Sequence, residues 1–566
     1  MKLVIKEYLA SLREREELDA ILPDLLSQMG LNVFILPSRG VKEYGVDIAA
    51  VGSLDGEGEK VFLFSVKSGN LTRETWDGTS PQSLRPSLNQ ILDSFIPNRI
   101  PSKHREKPIE ICLCFGGDVN SGIRQEVSGY TASETKENIS FCEWNGDKLA
   151  EYIERYFLRE DIAPESIRSQ LRKSLAMIDQ PSIAFKHFGL LVDSICNGDF
   201  KRQKDNVTAL RQLLIYTWVL YSWCREANNI ECAYLSIERV ALSGWDLVKP
   251  FFGKKTKVAK DCFGAYDSLI SLYNEISKNY VGKVVIPHSS SLYALSRSAS
   301  SSCSVDANLK LFDLAGRVAL FGIWSYWEFS LIENPSEEAL SAFRNVFNTV
   351  NEALIKTINN NPTLFSPYKD DQAIDIAICI FFLSLDERNV KNIEGWIGRI
   401  LQSSYRSIEG HRSYPSNLEK YSDLIEHPRV KTEEYRKSVT QGSILYPYLS
   451  FFSAIFNFDK LYSGLARLKN DFFEHSNFQM YFFDESSEDK LYANTDLHGA
   501  TLSHVPVDKE ADVFYSEIKS ECEKSSSFNK LSAMQYGVWP LVILACRHHR
   551  LPVPAHFYIA FKKIEE

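Results

Sequence analysis

Asp47, Ser65 and Lys67 are the residues of this 566-residue chain whose types and spacing point to chemistry. Asp47 stands in the run GVDIAAVG (45–52), and Lys67 lies near the end of VFLFSVKSG (61–69). The intervening DGEGE suits a hairpin turn. Strand side chains alternate, so Val61, Leu63, Ser65 and Lys67 share one face, and a hairpin brings Asp47 beside Ser65 and Lys67. A carboxylate and an ammonium at the end of a buried sheet are costly unless they pair or engage a metal or substrate. Phosphodiester hydrolysis is the chemistry such a corner allows. Asp47 and the Val66 carbonyl offer hard oxygens to Mg2+, while Lys67 can orient or deprotonate water and offset charge on phosphorus. The same residues also read as a buried Asp–Lys ion pair, with Ser65 a small strand residue.

The elements that must position these residues are legible nearby. LNVFILP (31–37), VDIAAVG (46–52), VFLFSVK (61–67), IEICLCF (109–115) and ISFCEW (139–144) are rich in β formers and bounded by Gly, Asp and Pro. Helices are expected before the first strand, near 83–95 and at KLAEYIERYF (148–157). Strands mixed with helices predict an α/β domain over 1–158. From about 165 the apolar period lengthens to that of helices: 208–227, 307–332, 336–357, 372–385, 391–402, 442–456 and 535–547. VGKVVIP (281–287) reads as a β-like island. The serine-rich 288–304 and the charged 419–437 are boundary candidates, which gives helical regions at 165–290 and 305–566.

The order helix, strand, GVDI strand, turn, strand ending in x-x-K, helix, strand resembles the restriction-endonuclease-like nucleases with the PD-(D/E)xK motif. The nearest flavour is Mrr-type enzymes and the nuclease domains of bacterial antiphage effectors. The resemblance covers about 1–158. It implies a restriction-endonuclease-like domain with a mixed central sheet, followed by a large, mainly α-helical region that senses, regulates or assembles. It implies Asp47 as a ligand of Mg2+ or Mn2+ and Lys67 as the catalytic lysine. Aligning LLSQMG (25–30) with the family's helix end puts its acidic position on Asp19, with Glu17 as rival. DNA is favoured over RNA by the resemblance alone, and a homo-oligomer or a partner defence protein is implied. The chain departs from the pattern at Ser65, where the family carries Glu, Asp or Gln; a hydroxyl adds no charge to hold a metal. The alternative is a catalytically degenerate nucleic-acid-binding or scaffold protein.

After Lys67, Arg73, Trp76, Arg85 and Gln90 fall where a phosphate backbone could pass, although Trp76 also suits packing. The loop 98–107 gathers Lys103 and Arg105 within a domain that carries 18 basic and 24 acidic side chains in all. The whole chain has net charge -9, which disfavours coating of DNA by bulk positive charge. Eleven scattered cysteines form no disulfide framework. The charged N-terminus reads as no signal peptide, and the apolar run AIDIAICIFFLSL (373–385) is too short for a bilayer, so a cytoplasmic protein is expected. No phosphate-binding Gly loop, kinase signature or nucleophile elbow is present. His498 and His504 lack a persuasive third metal ligand.

Overall fold

The structure, a computed structural model, describes residues 5–6, 9–10, 18–37, 44–54, 56–80, 82–156, 165–198, 200, 202–298, 303–493 and 498–559. The chain divides into two compact units, Met1–Leu272 and Tyr273–Glu566. The expected break at 158–165 falls largely on residues outside the described ones.

The first unit opens with helix α1 (Asp19–Gln28) and a five-stranded sheet: β1 (Asn32–Ile35), β2 (Ile48–Leu54), β3 (Glu57–Lys67), β4 (Ile109–Phe115) and β5 (Ile139–Trp144). Spatial order follows chain order. β1, β2 and β3 run antiparallel, with Ala49 opposite Leu63 and Val51 opposite Val61. β4 and β5 are parallel to β3 and to each other. β3 is therefore central, and its last seven residues, Val61 to Lys67, are all buried. That explains a nearly unbroken apolar run, because both faces are covered.

One face packs Ala49, Val61, Leu63, Ile111 and Leu113 on α2 (Arg73–Asp77), α3 (Leu84–Gln90) and the π-helical turn Ile91–Phe95. On the other, Phe64 meets Trp144 edge-on at 5.0 Å, and Trp144 packs on Tyr152 of α5 (Gly146–Tyr156) at 4.7 Å. A helix not foreseen, α4 (Arg124–Glu134), links β4 to β5; Val127 is its only fully buried residue, so its sequence carries little apolar periodicity. Helices α6 (Glu165–Ala176), α7 (Pro181–Cys196), α8 (Gln203–Glu226), α9 (Glu231–Val248) and α10 (Lys257–Tyr280) follow. Asp24 of α1 pairs with Arg211 of α8 at 3.2 Å.

The second unit is mainly helical. Its long elements are α11 (Ser304–Ser330), α12 (Glu337–Asn360), α13 (Ala373–Ser384), α14 (Val390–Glu409), α15 (Leu445–Ile455), α16 (Asp459–Phe472), α17 (Ala511–Lys524) and α18 (Pro540–His548). The β-like reading of 281–287 is corrected: Val281–Val285 is a π-helical turn and Ile286–Ser289 a helical turn. Val281 and Val285 are buried there, and burial on a helix outweighs β propensity. The charged stretch 419–437 holds two short helices, Tyr421–Glu426 and Glu433–Val439. Among the described residues no helix is long and apolar enough to cross a membrane.

Candidate functional site: the carboxyl end of β3

The hairpin places Asp47 just before β2 and Lys67 at the end of β3. Ile48 is the last residue in register, opposite Phe64. Beyond it the ladder changes: the Asp47 N–H donates to the Phe64 carbonyl at 2.9 Å, and the Asp47 Oδ2 accepts the Val66 N–H at 2.7 Å. The carboxylate thus takes over a backbone donor of the central strand, one residue from Lys67. A charge-assisted bond of this kind is stronger than a neutral one. Lys67 is 7% exposed and Ser65 1% exposed. The Ser65 Oγ is buried and makes no hydrogen bond. Burial, and then the charge of Asp47, pushes the Cys114 thiol well up.

Gly45 sets the approach to Asp47. Its φ is +81°, and a Cβ at this position would run into the Ser87 carbonyl of α3. Only glycine accepts both the left-handed backbone and the close contact. At the other side of the corner, the ends of the parallel strands are stitched together. The Gly117 N–H donates to Gly69, and the Gly146 N–H to Gly117, each at 2.8 Å. Lys6 bridges Asp118 at 2.9 Å and Asp147 at 2.8 Å. Sequence reasoning missed this bridge, since its members lie far apart in the chain.

The other expected site residues are dispersed. Thr72 caps α2 through a reciprocal bond with Thr75, which fixes the segment after Lys67. Arg73 is 84% exposed, with its guanidinium 3.9 Å from Glu126. Trp76 is fully buried and packs edge-on against Tyr130 at 5.6 Å, so it packs the loop and presents no face to a base. Arg85 pairs with Asp77 at 2.7 Å and lies 5.6 Å over the Tyr130 ring. Gln90, at the end of α3, is half-buried. Lys103 and Arg105 are exposed on a loop anchored by His104, which is buried 5.5 Å from Phe34. Burial, then the charges of Lys103 and Lys107, lowers the His104 pKa. Glu17 and the side chain of Asp19 lie outside the described residues. Among the described residues no group of three or more His, Cys, Asp or Glu side chains could hold a metal ion. His498 is buried, with Nδ1 3.0 Å from the Tyr481 hydroxyl and 3.2 Å from Ser487 Oγ.

A second set of buried charges lies in the helical unit. Asp375 of α13 is 2% exposed. Its Oδ2 accepts from Arg550 at 2.8 Å, and its Oδ1 is 3.6 Å from Arg547 Nε. Asp313 binds Arg317 at 2.6 Å and also Arg547. Arg550 further donates to the Asp371 carbonyl at 2.8 Å. Although burial opposes it, Arg317 and Arg547 hold the Asp313 carboxyl below its usual range.

No protein-family model, curated protein or solved structure matches the chain.

Proposed function

We propose that the corner built by Asp47, Ser65 and Lys67 is the centre of a Mg2+- or Mn2+-dependent endonuclease of the restriction-endonuclease-like kind. Its substrate is DNA, its place the cytoplasm, and its role antiphage defence, with the helical remainder regulating it or binding a partner. The observation that carries this reading is the Asp47 carboxylate on the Val66 N–H, one residue from buried Lys67. The strand order, an antiparallel meander followed by parallel β4 and β5, agrees with the PD-(D/E)xK resemblance.

The donor set was tested against a divalent cation by its chemistry. Asp47 supplies a carboxylate, and the buried Ser65 Oγ has no hydrogen-bond partner. These are hard oxygens with one negative charge. They suit a magnesium ion that keeps several waters and completes its shell with substrate phosphate. A bound divalent ion supplies Lewis-acid polarisation of the phosphate and lowers the pKa of its water. Asp47, fixed by its bond to β3, would hold the ion. The Lys67 ammonium, held at the strand end, offsets charge developing on the phosphoryl oxygens. Exposed Arg73, Lys103 and Arg105 contribute sequence-independent phosphate contacts.

The test is plasmid cleavage by the full chain with Mg2+ or Mn2+, stopped by EDTA and lost in Asp47→Ala and Lys67→Ala. Equal cleavage by all three proteins overturns the reading. Ser65 favours one second reading, a degenerate nucleic-acid-binding or scaffold protein, because a single described carboxylate holds a metal less firmly than two. In that case the wild type binds DNA in a salt-sensitive manner and cuts nothing.

A further inference from the structure

Cys112 of β4 and Cys142 of β5 are register partners on adjacent parallel strands. Their sulfurs lie 3.3 Å apart, with the Cys142 thiol donating to Cys112 Sγ. The Cys112 thiol in turn donates to the Glu110 carbonyl at 3.7 Å. Neighbouring strands run about 4.8 Å apart. That spacing falls inside the Cα window of about 4.4–6.8 Å over which a disulfide can close. The two thiols also differ in access. Cys112 is fully buried, whereas Cys142 lies partly exposed on β5, the last strand of the sheet. A small oxidant therefore meets Cys142 first.

Burial, and then the bond from the Cys142 thiol, pushes the Cys112 pKa well up. Cys112 is thus the protonated, second partner in any reaction at this pair.

We propose that Cys112 and Cys142 are a peroxide-responsive pair that closes to a reversible disulfide between β4 and β5. The step balances with hydrogen peroxide as the oxidant. The Cys142 thiolate attacks one peroxide oxygen, the O–O bond breaks, and with a proton taken up one water leaves, giving a sulfenic acid. Cys112 then attacks the sulfenic sulfur, the S–O bond breaks, and the second water carries off the hydroxyl with the Cys112 proton. Two thiols are oxidised and one peroxide is reduced to two waters. A disulfide between directly paired parallel residues must draw the Cβ atoms together, to about 3.8 Å, against the sheet's own geometry. Strained disulfides of this kind are the labile, reducible ones. The inference stands apart from the nuclease reading and needs neither metal nor DNA.

The experiment treats the reduced, folded full chain with hydrogen peroxide, blocks the remaining thiols and maps peptides by mass spectrometry. The expected result is one cross-linked pair, Cys112 with Cys142, about 2 Da lighter than the two reduced peptides. Two of the eleven thiols are lost, and dithiothreitol restores them. Cys142→Ser abolishes the cross-link. Cys112→Ala leaves a Cys142 sulfenic acid trapped by dimedone; should that variant misfold, Cys142→Ser carries the test. Accumulation of Cys142 sulfinic acid with Cys112 still free overturns the proposal. So does a cross-link that forms only in denaturant.

Discussion

Asp47 and Asp375 are carboxylates set among apolar cores, and their surroundings differ in kind. Asp375 sits in one of the most apolar helices of the chain, and two guanidiniums, Arg547 and Arg550, meet its two oxygens. Asp313 and Arg317 extend that set into a network. Side chain answers side chain, and breaking any member strands a buried charge. Asp47 instead spends one oxygen on a backbone N–H at the point where the β2–β3 ladder stops. Beside it stands a buried hydroxyl, Ser65, with no hydrogen-bond partner. A set of opposite charges that neutralise one another is a structural device. At the strand end a carboxylate on a backbone N–H stands beside a buried hydroxyl and a buried lysine, the residue types that phosphodiester chemistry uses.

Breaking this charge network should have the largest effect on stability. Asp375→Ala leaves Arg547 and Arg550 without their shared carboxylate, at a cost of about 3–5 kcal/mol. Urea denaturation checks this, and a loss below about 1 kcal/mol would show that Asp375 does not hold the two guanidiniums. Asp370 offers a contrast within the same unit. Its carboxyl accepts Ile444 N–H at 2.7 Å and Leu445 N–H at 3.4 Å at the start of α15, and burial raises its pKa to about 6. The folded state therefore binds this proton more tightly than the unfolded chain does. The stabilisation is present at low pH and is lost as pH rises through about 6. Comparing wild type with Asp370→Asn, the stability difference should change by about 2 kcal/mol between pH 7 and pH 4. A flat difference would contradict the assignment.

The Asp47 corner should respond differently. Gly45→Ala forces a Cβ against the Ser87 carbonyl in a left-handed backbone. It should cost about 1–3 kcal/mol and shift Asp47 off the Val66 N–H, seen as faster amide exchange at Val66. The smallest effect is expected at Ser65. Ser65→Ala removes a buried hydroxyl that bonds to nothing, so stability should change by less than about 1 kcal/mol, or rise. A loss of about 2 kcal/mol or more would mean that this oxygen already has a structural partner.

Much of the sheet was legible because its strands are runs of β formers that end at turn residues. The placing of Asp47 near Ser65 and Lys67 followed from the side-chain geometry of a hairpin. The bond from Asp47 to the Val66 N–H did not, since it depends on where the ladder breaks. Val281–Val285 misled because its β-branched residues are buried in a helical continuation of α10. Arg124–Glu134 was missed because a nearly solvated helix has little pattern to read. Arg550 pairs with Asp375, 175 residues away. Long-range pairing leaves no trace in local spacing. Trp76 shows the converse, since an aromatic after the lysine suits stacking and core equally, and burial alone decides it.

The most direct test of the central claim is cleavage of supercoiled plasmid by wild type, Lys67→Ala and Ser65→Glu, with Mn2+ and with EDTA. The account expects metal-dependent nicking by the wild type and loss of about 100-fold or more in Lys67→Ala at unchanged stability. It expects an altered rate or metal preference in Ser65→Glu. Wild-type protein that never cuts with Mn2+, while Ser65→Glu does, would contradict it and establish the corner as a degenerate site.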